Sequence, residues 1–256
     1  MRQATAETGV LVYAFTCGYI TLPTTYFIAG GEGKTKVPAC SFLIDHPDGL
    51  AVFDTGFSDR FVGLEDGLGK IVDMPEEHPI AVRLEALDVD PGAVQWIINS
   101  HLHLDHAGGN RMLPNATVIV QEQEWDFGFA GEDGAYSTQD FDIGQTVKKV
   151  RGEHDVFGDG SVTVFPTPGH TPGHQSARIR TATGEAVLAG DCCNFRRSLD
   201  EMKMPENVYN ADHYRGSLES LSSLRRAGAR IFYGHDPDFW STVPQATELN
   251  MATIQS

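Results

Sequence analysis

The 256-residue chain is poor in cysteine, in basic residues and in long apolar runs, and each shortage excludes a class of protein. Cys17, Cys40, Cys192 and Cys193 are too few for a disulfide framework at this length, and no two form a C-x-x-C motif. Reduced thiols in a cytoplasmic protein are therefore expected, with Cys192 and Cys193 as buried packing. Lys and Arg number 19 against 35 Asp and Glu, a formal charge of -16. A surface so negative repels phosphate backbones and anionic headgroups, which argues against nucleic-acid and membrane partners. No apolar stretch approaches the roughly 18 residues of a membrane-spanning helix. The apolar run Gly9–Phe15 is read as a first strand, not as the core of a secretion leader. Tandem repeats and low-complexity linkers are missing, so one domain over residues 1–256 is expected. No G-x-G-x-x-G follows the first strand, which removes the support for a doubly wound dinucleotide fold.

What remains is the composition of a globular protein, 41% hydrophobic and 21% charged. Its apolar runs are short, β-branched or aromatic, and punctuated by Gly, Pro and Asp. Strands are expected at Gly9–Phe15, Ala39–Asp45, Leu50–Asp54, Trp96–Asn99 and Ala116–Val120. A second series falls at Val162–Phe165, Ser176–Arg180, Ala186–Ala189 and Ile231–Tyr233. Helical spacing marks Pro79–Leu87 and Glu122–Phe129. A third helix runs from about Asp212 to Arg226, with Asn210 or Asp212 as N-cap and Gly228 beyond its end. Strands interleaved with helices in both halves predict two packed sheets with helices outside. The halves also echo each other, since Ala51-Val52-Phe53-Asp54 and Ala186–Asp191 are both apolar strands closing on an acid.

The chain has 10 His, and their placement carries the chemistry. In Ser100-His101-Leu102-His103-Leu104-Asp105-His106-Ala107-Gly108-Gly109-Asn110, three His and one Asp follow directly on an apolar strand. Imidazole and carboxylate suit Zn²⁺ and similar divalent ions. In extended chain His101 and His103 share a side and can approach one ion. If the chain then turns into a helix, Asp105 and His106 point elsewhere and can serve a second ion. Three further candidates stand at expected strand ends: His170 after Val162–Phe165, Asp191 after Ala186–Ala189 and His235 after Ile231–Tyr233. A sheet holds such ligands stiffly. His46, His78, His154 and His213 have no partner pattern and are given no role.

These motifs resemble the metallo-β-lactamase-fold hydrolases, whose first signature is His-x-His-x-Asp-His. Ser100–Asn110, Thr167–Ser176 and Phe232–Asp236 are more narrowly similar to the N-acyl-homoserine lactonase branch, as are Val37–Cys40 and Phe53–Gly56. The resemblance covers about residues 37 to 236. It implies a four-layer αβ/βα sandwich and a binuclear site of two divalent ions, zinc foremost. His101, His103 and His170 would hold one ion, Asp105, His106 and His235 the other, and Asp191 would bridge them. Asp54 would orient a ligand imidazole without touching metal, and His174 would be a hydrogen-bonding loop residue. The implied reaction is quorum quenching: a metal-bridging hydroxide opens the lactone of an N-acyl homoserine lactone, with Asp105 relaying a proton to the leaving alkoxide. The implied partner is a small lactone, with a homodimer left open as the assembly.

One departure bears on the substrate. Lactonases of this branch carry a Tyr three residues after the bridging Asp, where this chain has Asn194. An amide is shorter than a phenol, so Asn194 is only a weak candidate for substrate binding, and a pyridoxolactone-type lactonase stays open beside the leading reading. A glyoxalase II-like thioesterase is the more distant alternative. An iron-binding redox module is disfavoured, because its relatives place Glu where this chain has His103. Tyr19, Tyr26, Phe27, Trp125, Phe127 and Phe129 are candidates for a pocket wall, although such aromatics more often fill a core.

Overall fold

A computed structural model describes residues 9–130 and 134–255. The first sheet contains β1 (Leu11–Pro23), β2 (Lys34–His46), β3 (Gly49–Phe53), β4 (Val72–Asp73), β5 (Val94–Ile98), β6 (Thr117–Gln121) and β7 (Val147–Val150). Their spatial order is β4-β1-β2-β3-β5-β6-β7. The second sheet contains β8 (His154–Asp155), β9 (Val162–Pro166), β10 (Gln175–Thr181), β11 (Gly184–Leu188) and β12 (Arg230–Phe232), in the order β12-β11-β10-β9-β8. Both sheets are mixed. β1, β2 and β3 pair antiparallel, whereas β3, β5, β6 and β7 run parallel. In the second sheet β9, β10 and β11 alternate in direction, and β12 lies parallel to β11.

Strand alternation sorts the side chains into layers. Val12, Ala14, Phe42, Ile44, Ala51, Phe53, Ile98 and Ile119 join one core cluster with Val162, Val164, Ala177, Ile179 and Val187 of the second sheet. Their neighbours Phe15, Leu43, Val52, Ile97 and Val118 turn the other way, onto Ile80 and Leu84 of α1 (Ile80–Glu85). The remaining helices are α2 (Glu122–Ala130), α3 (Thr138–Phe141), α4 (Arg196–Asp200), α5 (Ala211–Arg226) and α6 (Pro237–Trp240). α5 packs Tyr214, Leu218 and Leu221 against the second sheet beside β12. The result is the expected sandwich of two sheets with helices outside.

Differences from the expected elements have local causes. β1 continues to Pro23 instead of stopping at Phe15, through a register shift between Thr16 and Tyr19 that breaks the period-two pattern. Gly18 sits inside that shift at φ 106°, open to glycine at little cost. Asn210, not Asp212, caps α5, its side chain accepting from His213 N–H at 2.9 Å. The two-residue strands β4 and β8, and the short helices α3, α4 and α6, carry too few residues for a periodic signal. No helix among the described residues is long and apolar enough to cross a membrane.

Leu221 of α5 is fully buried in the core cluster and belongs to none of the donor groups. Leu221→Ala is expected to destabilise the protein by about 2–5 kcal/mol through lost burial and a residual cavity. Denaturant unfolding monitored by circular dichroism checks this. A change under 1 kcal/mol would contradict the packing described.

Candidate metal centre

The ligand-type residues meet because strands of both sheets end at one edge of the sandwich. His101 follows β5, His170 follows β9, Asp191 follows β11 and His235 follows β12. Three overlapping donor groups form there: His101, His103 and His170; His101, His106 and Asp191; and Asp105, His106 and His235. Asp191 stands between the outer two. Its Oδ2 lies 3.4 Å from His170 Nε2, while its Oδ1 lies 3.0 Å from His235 Nε2 and 3.2 Å from His106 Nε2. Asp105 Oδ2 is 3.7 Å from His235 Nε2 and 3.8 Å from His106 Nε2. All seven predicted ligand positions are thus drawn together.

Neighbouring groups fix how the rings face. Asp54 Oδ2 accepts from His106 Nδ1 at 2.8 Å, and the Pro38 carbonyl accepts from His235 Nδ1 at 2.8 Å. Both rings therefore turn Nε2 to the centre. Asp54 Oδ1 also accepts from Ser100 N–H and its Oδ2 from Ser100 Oγ, each at 2.7 Å. Ser100 Oγ lies 3.0 Å from His101 Nδ1, which leaves His101 Nε2 facing inward. Asp54 takes φ 50°, a conformation that Asn and Asp tolerate better than most residues. His174 belongs to none of the donor groups found among the described residues. Its Nδ1 pairs with Thr167 Oγ1 at 2.9 Å and its Nε2 accepts from Asp191 N–H at 3.0 Å, so it steadies the backbone of the shared carboxylate.

The electrostatics of the donors suit a cation. Burial, reinforced by neighbouring imidazoles, holds His101 well below the usual histidine range, and burial brings His170 down to about 4. Both are neutral, as a metal ligand must be. Burial also opposes charge on His106 and His235, but Asp191 foremost outweighs it and raises both. Burial would raise Asp191, yet His235, His106 and His170 together hold its carboxyl well below the carboxylate range. His101 Nε2 is buried with no hydrogen-bond partner among the described residues. A buried ring nitrogen left bare costs about 1–3 kcal/mol. A divalent cation between the groups removes that cost, so the residues fit two metal ions.

A cavity of about 300 Å³ opens over the donors. His103, Asp105, His170, Asp191 and His235 face it, and Ile20, Leu22, Tyr26, Phe27, Leu68, Ile71 and Leu104 form an apolar wall. Of the aromatics proposed for such a wall, Tyr26 and Phe27 are there. Trp125 and Phe129 pack on Phe141, Phe127 meets Tyr136 and Tyr209, and Tyr19 lies against His78. Asn194 is also elsewhere: it is buried, and its amide reaches the Phe27 carbonyl at 3.4 Å, bracing the wall without facing the cavity. Leu68 and Ile71 come from a loop whose role no local sequence pattern signals. Glu124, a buried acid that binds both histidine segments, carries no signal in the sequence either, because its helix holds other acids and only the fold separates it from them.

Comparison with known proteins agrees with this geometry. The model of the metallo-beta-lactamase superfamily matches residues 35–235. The chain is 32% identical over 233 residues to the N-acyl homoserine lactonase AttM of Azorhizobium caulinodans, covering 85% of this chain and 89% of that one. It is 30% identical over 240 residues to the N-acyl homoserine lactonase AiiA of Bacillus thuringiensis subsp. kurstaki, covering 85% and 94%. Its fold is similar to a solved N-acyl homoserine lactone hydrolase with N-hexanoyl-L-homoserine bound at its catalytic metal centre, with a TM-score of 0.84 and 25% identity over 93% of this chain and 98% of that one. The chain belongs to the metallo-beta-lactamase superfamily.

Asp54→Asn keeps the left-handed backbone accessible but removes the charge that orients His106 and one of the acceptors for Ser100. Zinc affinity is expected to fall about 10- to 100-fold, measured by competition with a chromophoric chelator. Wild-type affinity in the variant would contradict the orienting role.

Proposed function

We propose that this member of the superfamily is a metal-dependent lactonase that opens the ring of N-acyl homoserine lactones. The observation that carries the reading is the coupling of two donor triads through Asp191 beneath an apolar cavity. Relatives over most of the chain are N-acyl homoserine lactonases, which supports the substrate class. His101, His103 and His170 would hold one divalent ion and Asp105, His106 and His235 the second, with Asp191 within reach of both sets. Zinc is the ion that suits this imidazole and carboxylate set. Bound there, such a pair would supply Lewis-acid polarisation of the carbonyl and a more acidic water near neutral pH.

The chain's own residues do the rest. Ile20, Leu22, Phe27 and Ile71 take the acyl tail and keep bulk water from the ring. Water adds its oxygen to the acyl carbon, the ring C–O bond breaks, and one proton must reach the departing ring oxygen. Asp105 would carry that proton on its other oxygen, since Oδ2 is the one turned toward His106 and His235 and so committed to the ion. The product is the ring-opened hydroxy acid. A second reading, hydrolysis of another small lactone, draws on Asn194: its amide braces the Phe27 carbonyl where a Tyr hydroxyl would serve substrate in the lactonase branch.

A pH-stat panel of N-acyl homoserine lactones, plain γ-lactones, thioesters and phosphodiesters, run with and without chelator, tests the function. The acyl homoserine lactones are expected to react fastest, and chelation to abolish turnover until zinc is restored. Faster opening of an unacylated lactone would favour the second reading. Lactones no faster than thioesters would contradict both. Asp105→Asn is expected to lower kcat about 10²–10⁴-fold. A variant that keeps both metals and full turnover would contradict the relay.

A further inference from the structure

Glu124 lies in the first turn of α2, wholly buried, and outside every donor group. Its carboxylate collects four donors. Oε1 accepts from Leu102 N–H at 3.0 Å and from the Tyr136 hydroxyl at 2.6 Å. Oε2 accepts from Thr171 Oγ1 at 2.6 Å and from Gly173 N–H at 3.2 Å. A carboxylate offers about four lone-pair directions, so the set is complete.

The four donors come from three segments that bear on the same triad. Leu102 is the link between His101 and His103. Thr171 and Gly173 belong to the loop that carries His170. The Tyr136 ring meets the His103 ring edge-on at 4.6 Å between centroids. Gly173 adds an independent constraint. A Cβ there would come within 2.1 Å of the Glu124 backbone nitrogen, so the loop is pressed directly on the start of α2 and only glycine fits. The other triad has its own supports, Asp54 for His106 and the Pro38 carbonyl for His235.

We infer that Glu124 is a positioning residue for one of the two metal sites, tying the His101–His103 segment to the His170 loop so that those three imidazoles stand at ligand spacing. The inference rests on the metal-centre reading above and adds a division of labour within it. Asp54, through Ser100, and Asp191 serve both triads, whereas the four donors to Glu124 all bear on the His101, His103 and His170 triad alone, so its loss falls on that site.

Zinc titration of the metal-free full-length protein against a chromophoric chelator, with thermal unfolding in parallel, tests this. Glu124→Gln replaces one acceptor oxygen by a donor facing two donors. One of the two zinc equivalents is expected to weaken about 10- to 100-fold while the other keeps its affinity. Added to His170→Ala, the substitution should change zinc binding little further. Added to His235→Ala, it should weaken the remaining equivalent by the same factor as in the parent. If Glu124→Gln does not fold, Thr171→Val and Tyr136→Phe each remove one donor and are expected to give a smaller loss at the same equivalent. Equal weakening of both equivalents, or lower thermal stability with zinc binding unchanged, would overturn the proposal. A parent protein that binds fewer than two equivalents would instead overturn the metal-centre reading, and this inference with it.

Discussion

Asp191 extends one carboxylate oxygen toward His170 and the other toward His106 and His235, and this double attachment sets the rest of the site. A buried carboxylate is costly unless opposite charge or hydrogen bonds answer it. Here three imidazoles do so from two sides, and its own backbone N–H is taken by His174. Two of those imidazoles are drawn toward their charged forms, whereas His101 and His170 stay neutral. Cations in place of those protons would satisfy the same carboxylate and also the bare His101 nitrogen.

The fold supplies the rigidity this arrangement needs. β3, β5, β9, β11 and β12 all end at one edge of the sandwich, where Asp54, His101, His170, Asp191 and His235 follow in turn. Most residues of these strands are buried, between the inter-sheet core on one face and the outer helices on the other. Residues just past their ends inherit little freedom. The chemistry therefore sits on loops, but on loops only a few residues from well-packed strands. The echo between the halves has a structural meaning too: Asp54 and Asp191 close equivalent strands, the one orienting His106 from behind and the other facing it across the centre.

The donors were legible in the sequence because ligand chemistry needs particular side chains at close spacing, and His101 through His106 concentrate them after an apolar run. The strand runs were legible for a similar reason, since burial on both faces leaves continuous apolar stretches. What could not be read depends on long-range meetings. Nothing local distinguishes Glu124 from Glu122 on the same helix, yet only Glu124 receives Leu102, Tyr136, Thr171 and Gly173. Asn194 occupies the position expected to meet substrate, but a turn of chain carries its amide to Phe27. The cavity wall divides the aromatics by tertiary packing, keeping Tyr26 and Phe27 and sending Trp125 and Phe129 to Phe141.

The claim that Asp191 couples two metal sites is tested most directly by metal stoichiometry. Zinc titration of the parent protein and of Asp191→Asn, read by competition with a chelator, measures each equivalent. The account predicts two equivalents in the parent and a loss of affinity at both in the variant. A variant that loses only one equivalent, or neither, would contradict it.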